Sequence, residues 1–412
     1  MARQPLAVWL YGLQIARLER VRAGLRLTYT SEALDRFPLH TPLLSVAMPL
    51  SAAPYGGRTT LPFFDGLLPE GVSRQTIAYD FGVAVEDTLG LLEKIGRECA
   101  GALVIQPATD PAPSAGPFEA EPLSDSRVGE LIRQLRSQPL GVSDAVRLSL
   151  AGMQEKLLLA RLPSGQWALP VRGMPSTHIL KPEPAFLPNA VANEAFSLRL
   201  AKHLGLRAPA LSVTEFSGRK VLVIERFDRR VAADGGVERI HQEDLCQALG
   251  VSSRRKYQQH GGPSLRQVGV LLRRWTGASR GLGELDGLLR NVTLDVVVGN
   301  ADAHGKNLGL LHHIPGEVEL APVYDVMTTS YYPDVDQTLG MFVGHARQLR
   351  EVTMDELVTE GVSWGLAERR ARDVVGDLLD QLPSAVEWAA RETPGVPDAV
   401  VERVVAQRLV AK

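Results

Sequence analysis

The residues most able to do chemistry lie in G-N-A-D-A-H-G-K-N-L, Gly299 to Leu308. Asp302 and Asn307 have four residues between them, the D-x-x-x-x-N spacing of a kinase catalytic loop. In that chemistry the carboxylate accepts a hydroxyl proton and orients the attacking oxygen. The amide oxygen further along the loop coordinates a metal on the same phosphates. Magnesium needs a second carboxylate, because it prefers one or two carboxylates plus phosphate oxygens. Asp325, in L-A-P-V-Y-D-V-M, follows Asn307 by eighteen residues and reads as the end of an apolar strand, the place for that ligand. His304 and Lys306 lie inside the loop, His304 to contact phosphate or to brace the backbone. Singly, each of these residues is a common turn or cap residue. The ordered set is what points to phosphoryl transfer.

A nucleotide also needs a phosphate-covering loop and a lysine. S-L-A-G-M-Q-E-K, Ser149 to Lys156, joins two strand-like runs, and its small residues let backbone N–H groups approach phosphate. It is neither a Walker loop nor G-x-G-x-x-G, and a plain hairpin turn is the alternative. Lys181 ends T-H-I-L-K-P on a strand and has the length to reach α/β-phosphates. Glu194, in the helix that follows, can pair with it or face solvent. V-L-V-I-E-R-F-D, Val221 to Asp228, reads as a strand leading into a hinge. There the backbone near Glu225 and Phe227 can bind adenine, or the segment is an ordinary exit from a sheet.

The elements that must position these groups form a β-rich half followed by a helical half. Strands are expected at Glu155 to Arg161, Thr177 to Lys181, Leu211 to Phe216 and Lys220 to Arg226, and helices at Arg127 to Ser137 and Asn193 to Leu204. From Gln242 onward the chain reads as mainly helical, with a terminal helix at Asp398 to Val410. The Pro- and Ala-rich stretch from Gln106 to Ser126 marks a linker. The expected organisation is therefore residues 1–105, a linker at 106–126, a β-rich part at 127–230 and a helical lobe at 231–412. With a short strand pair between the halves, the pattern fits an α+β, two-lobed protein-kinase-like fold, and it also fits other α+β proteins.

Composition sets the outer bounds. The 412 residues are 45% hydrophobic and 22% charged, an ordinary globular balance for two or three packed units. No apolar run is long enough to span a bilayer, and the N-terminal A-V-W-L-Y-G reads as a strand rather than a secretory signal. Cys99 and Cys246 have no disulfide framework or metal-ligand spacing, so the expectation is a reducing cytoplasm. A net charge of -2 argues against strong nucleic-acid binding by this chain alone.

Together these pieces resemble the HipA family. The matching motifs are L-L-P-E-G, S-L-A-G-M-Q-E-K, T-H-I-L-K-P, the N-E helix, E-R-F-D-R, H-Q-E-D-L-C-Q-A-L-G, N-A-D-A-H-G-K-N and P-V-Y-D-V, in family order from about Leu61 to Thr328. HipA proteins are kinase toxins of toxin–antitoxin pairs that phosphorylate an aminoacyl-tRNA synthetase and halt translation. The resemblance implies ATP and Mg2+ as cofactors, Asp302 as proton acceptor, Asn307 and Asp325 as magnesium ligands, and Lys181 on the nucleotide phosphates. It implies further nucleotide contacts from Ala151, Gly152, Met153, Gln154, Glu155 and Lys156, from Glu225, Arg226 and Phe227, and from His304, Gly305, Lys306 and Asn307. It implies autophosphorylation of Ser149. It also implies a separate HipB-like helix-turn-helix antitoxin through which the pair reaches operator DNA. Arg369, Arg370 and Arg372 would touch DNA phosphates in such a complex, or form a solvated helix face. Two rivals share features of this pattern. A small-molecule phosphotransferase of the aminoglycoside or choline kinase type shares the catalytic loop, and a catalytically silent co-repressor would use only the binding surfaces.

Overall fold

The computed structural model describes residues 4–22, 24–113, 120–135, 137–140, 142, 149–151, 154–171, 173–232, 236–277, 280–313 and 316–411. A four-stranded antiparallel sheet opens the chain, in the spatial order Gly24–Tyr29, Leu13–Val21, Leu6–Leu10, Leu103–Pro107. The helices Gly57–Gly66, Gly71–Asp80 and Thr88–Ile95 follow its third strand. A six-stranded sheet comes next, in the order Glu121–Leu123, Trp167–Leu169, Leu157–Arg161, His178–Pro182, Arg219–Glu225, Leu211–Phe216.

Two cores result, and they do not divide at the Pro- and Ala-rich stretch. The first sheet, its helices and one face of the six-stranded sheet share one core, in which Ile15, Phe64 and Ile105 lie with Leu158 and Val223. The second core is helical and takes Leu222 and Ile224 from the other face of the same strand. Val221 and Val223 against Leu222 and Ile224 is the period-2 alternation of a strand with apolar layers on both sides. The helix Ala190–His203 packs Phe196 and Leu200 into the second core. Its partners include Gly281–Val298 and Glu368–Glu392. The architecture is thus α+β, with a β-rich half and a helix-rich half joined through the six-stranded sheet.

Two expectations need correction. The linker is shorter than its composition suggests, since Glu121–Leu123 pairs as an edge strand and Ser124 caps the helix Asp125–Gln134. In the helical half, Gly309–His313, directly after the Gly299 to Leu308 loop, pairs with Gln242–Asp244 and Glu317–Leu320 in a three-stranded sheet. That strand pair ends at Leu320, so Asp325 sits in a loop and not at a strand end.

Candidate active site

Helix Gly281–Val298 ends at Gly299, whose φ of +75° lets the chain turn out of the helix into the loop. The loop is then fixed by its own side chains. Asn300 accepts from the Asp302 amide at 3.1 Å, and the Asp302 carbonyl accepts from the His304 amide at 2.8 Å and from Asn307 Nδ2 at 3.0 Å. That last bond commits the Asn307 nitrogen and leaves its side-chain oxygen as the group able to face a cation. The Asp302 carboxylate accepts from the Tyr257 hydroxyl at 2.7 Å. Burial pushes the Asp302 carboxyl up, Tyr257 and Lys256 oppose this, and the Asp325 charge adds to the rise. Asp302 and Asp325 therefore share one electrostatic neighbourhood.

Lys181 joins that neighbourhood from the six-stranded sheet. Its ammonium is buried, lies 2.6 Å from Glu194 Oε1 and also contacts Asp325. Burial disfavours the Lys181 charge, but Asp325 and Glu194 outweigh it and hold the ammonium charged. Burial likewise pushes Asp325 up, while Lys181 and Lys156 outweigh it and keep the carboxyl well below its usual range. The Asp325 side chain is 41% exposed, so this ionised carboxylate opens onto the cleft. Its φ of +53° is left-handed, a conformation uncommon for non-glycine residues that Asp tolerates better than most.

Lys156 approaches the same cluster from the phosphate loop, donating to the Ala151 carbonyl at 2.8 Å. Burial pulls its ammonium down to about 8, against the attraction of Asp325. Gln154 is half-buried, and Glu155 pairs with Arg219 at 3.7 Å. Gly152 and Met153 lie outside the described residues. Ser149 is fully buried, with its hydroxyl donating to the Leu67 carbonyl and its amide to the Glu98 carbonyl, each at 2.7 Å. At the hinge, Phe227 stacks on Tyr324 at 5.6 Å, and the Tyr324 hydroxyl donates to the Lys306 carbonyl at 2.9 Å. One ring thus ties the hinge, the catalytic loop and the residue before Asp325.

Several residues expected at a nucleotide are committed elsewhere. The Lys306 ammonium is buried, lies 2.8 Å from Asp244 Oδ2 and 3.6 Å from Glu70 Oε1, and donates to the Gly66 carbonyl at 3.2 Å. It anchors the loop to the N-terminal helices instead of reaching into the cleft. The Gly305 amide donates to Lys256 and its carbonyl accepts from Leu245, both at 3.0 Å. The Arg226 guanidinium is buried between Glu98 and Asp228, and its amide donates to Thr177. His304 is buried, and burial with the Lys256 charge takes its imidazole down to about 3. Neutral, it accepts from the Lys306 amide at 3.3 Å and braces the loop. Arg370 and Arg372 form ion pairs with Asp286 and with Asp355 and Glu368, so only Arg369 of that cluster has no such pair among the described residues.

From the sequence, H-Q-E-D near Gln242 to Asp244 and the glycine-rich loop from Tyr257 to Ser264 are expected to shape the cleft or the substrate site, the first alternatively as a plain helix start. The contacts of Tyr257 with Asp302 and of Asp244 with Lys306 are not readable there, and neither Glu70 nor Tyr324 is singled out as a site residue.

The chain as a whole is matched by known proteins. The model of the HipA-like C-terminal domain covers residues 148–386, and that of the HipA N-terminal domain covers residues 6–106. The chain belongs to the HipA family. "Putative kinase Y4mE" of Sinorhizobium fredii is 37% identical over 398 residues, 95% of this chain and 93% of that protein. The serine/threonine-protein kinase toxin HipA of Shewanella oneidensis is 31% identical over 310 residues, 73% and 70% of the two chains. A solved Shewanella oneidensis complex of HipA, HipB and operator DNA aligns with a TM-score of 0.82 at 26% identity, covering 98% of this HipA-family chain and 95% of its counterpart. Among the described residues of this family member, no helix is long and apolar enough to cross a membrane.

Proposed function

We propose that this HipA-family chain is an ATP-dependent serine/threonine protein kinase that serves as the toxin of a toxin–antitoxin pair. The observation that carries the reading is the meeting of Lys181, Glu194 and Asp325 in one ion-paired cluster beside Asp302. A lysine steadied by a helix carboxylate is the group a triphosphate requires, and the part-exposed Asp325 is the anionic counterpart a cation on those phosphates requires. The names of the relatives support the same chemistry.

In this reading an acceptor hydroxyl approaches Asp302 and gives its proton to the carboxylate as its oxygen bonds to the γ-phosphorus. The bond from that phosphorus to the β,γ-bridging oxygen breaks, leaving a phosphoester and ADP. Lys181 and Lys156 hold the polyphosphate, and the backbone around Glu225 and Phe227 faces adenine. The Asn307 oxygen and the Asp325 carboxylate would hold Mg2+, which supplies charge neutralisation at the phosphates when bound. Two oxygen donors suit magnesium, which keeps waters and phosphate oxygens in its remaining positions. No cluster of three or more His, Cys, Asp or Glu side chains suited to a metal occurs among the described residues.

The finer reading follows the Shewanella oneidensis relatives. The chain pairs with a separate HipB-like antitoxin and reaches operator DNA through it, a reading supported by that complex, and, as the family resemblance implies, it phosphorylates a protein of the aminoacyl-tRNA synthetase class. Ser149 is its self-modification site. A dianionic phosphate has no place against the Leu67 carbonyl, so the loop must leave its seat on modification and the enzyme falls silent. The test is incubation of purified protein with γ-labelled ATP and Mg2+, followed by mass spectrometry. Label on Ser149 in the wild type and none in Asp302→Asn is expected; equal labelling in both removes Asp302 from the mechanism.

A further inference from the structure

The loop from Lys256 to Pro263 is packed onto the catalytic loop more tightly than a solvent-exposed turn needs. A Cβ on Gly305 would lie 2.5 Å from Cγ of the Pro263 ring, so that ring packs against the Gly305 backbone where a larger residue would force a shift. The Gly305 amide is bonded to the Lys256 carbonyl, and the Tyr257 carbonyl accepts from the His260 and Gly262 amides at 3.0 Å. The Tyr257 ring stands edge-on to His304 at 5.0 Å and to His260 at 6.2 Å, with the Lys256 ammonium 5.6 Å from its centre. Ring and backbone are therefore both fixed, and the hydroxyl can point in few directions. It points at Asp302.

We propose that Tyr257 is a positioning residue for phosphoryl transfer, its hydroxyl gripping Asp302 Oδ1 so that the other carboxylate oxygen faces the incoming hydroxyl. The inference rests on Asp302 being the proton acceptor. Three bonds fix the Asp302 backbone, one through its amide and two through its carbonyl. The carboxylate itself has no such hold apart from Tyr257 among the described residues. A carboxylate free to rotate would spend much of its time misdirected, and misalignment of a general base costs rate directly. The phenol keeps its own proton, because burial and the Asp302 charge both push its ionisation up. It is thus a permanent donor and not a competing base. By bonding the charged form, it also opposes the rise that burial imposes on Asp302.

The decisive variant is Tyr257→Phe, which removes one oxygen and leaves the ring against His304. Without that donor the Asp302 carboxylate is free to turn away from the acceptor hydroxyl, so kcat falls about tenfold while the KM for ATP stays as in the wild type. The number of ATP-binding sites per chain, measured by equilibrium binding, counts the folded molecules, so kcat is expressed per folded site and a partly unfolded variant cannot imitate the split. A Tyr257→Phe enzyme whose kcat per folded site is unchanged, or whose loss lies in the KM for ATP alone, overturns the proposal. Asp302→Asn is run beside it: if that variant is inactive while Tyr257→Phe is normal, only Tyr257 is dismissed. If Asp302→Asn keeps the wild-type rate, the reading of Asp302 fails first and takes this one with it.

Discussion

Lys181 and Glu194 face each other at 2.6 Å between the six-stranded sheet and the helix Ala190–His203, both side chains at most 5% exposed. Their contact bridges the two halves of the molecule, because one comes from a strand and the other from a helix of the second core. Removing Glu194 leaves the buried Lys181 ammonium with Asp325 as its remaining counter-charge among the described residues. Glu194→Ala is expected to lower unfolding free energy by about 3 kcal/mol and to raise the KM for ATP. Urea unfolding and steady-state kinetics on the same preparation check both.

Asp325→Asn separates charge from shape. Asn tolerates a left-handed backbone as Asp does, so the variant keeps the fold around φ +53°. The cation loses its anionic ligand, and the transfer rate should fall on the order of 10²-fold at every Mg2+ concentration tested. A rate recovered fully by excess Mg2+ points to a weakened site and not a lost one. Unchanged kinetics removes Asp325 from the metal.

Lys306→Met tests an anchor against a nucleotide contact. Deleting the ammonium leaves Asp244 and Glu70 without their shared partner, at a cost of about 3–5 kcal/mol. Denaturant midpoints should drop accordingly. If stability is unchanged and ATP affinity falls instead, Lys306 belongs in the cleft after all.

Lys156 gives a pH signature. Its ammonium is held near 8 by burial, whereas the unfolded chain keeps an ordinary lysine near 10.4. Between those values the unfolded state binds the extra proton, so this group makes stability rise with pH from about 8 to about 10.4. Below pH 8 its full penalty applies. A triphosphate placed beside Lys156 favours the charged form, so ATP binding at pH 9 should take up close to one proton. Calorimetry in two buffers of different ionisation enthalpy measures that uptake, and Lys156→Met should abolish it.

The legible part of the candidate site is its short-range part. Asp302 and Asn307 fall within one loop, and Asp325 follows soon after, so spacing alone singles them out as candidates. Lys181 and Glu194 are legible as strand end and helix residue, though only the folded chain decides that Glu194 turns inward. Tyr257 meets Asp302 across 45 positions and Lys306 meets Gly66 across 240, distances over which no periodicity or spacing rule operates. The same limit hides the pairing of Lys306 with Glu70 and Asp244 and of Arg226 with Glu98, whereas the pairing of Arg226 with Asp228 is local. The order of apolar runs carries the α+β class. It does not carry the pairing of Gly309–His313 with two strands of three and four residues.

Gly66, Leu67 and Glu70 hold Lys306 on one side and Ser149 on the other. A single short connector between two N-terminal helices therefore anchors both the loop that bears Lys306 and the segment that bears Ser149. The kinase half cannot be excised as a free-standing unit with its geometry intact: cut from the first hundred residues, its catalytic loop would expose an ammonium with half its counter-charge gone, and its serine would hang in water.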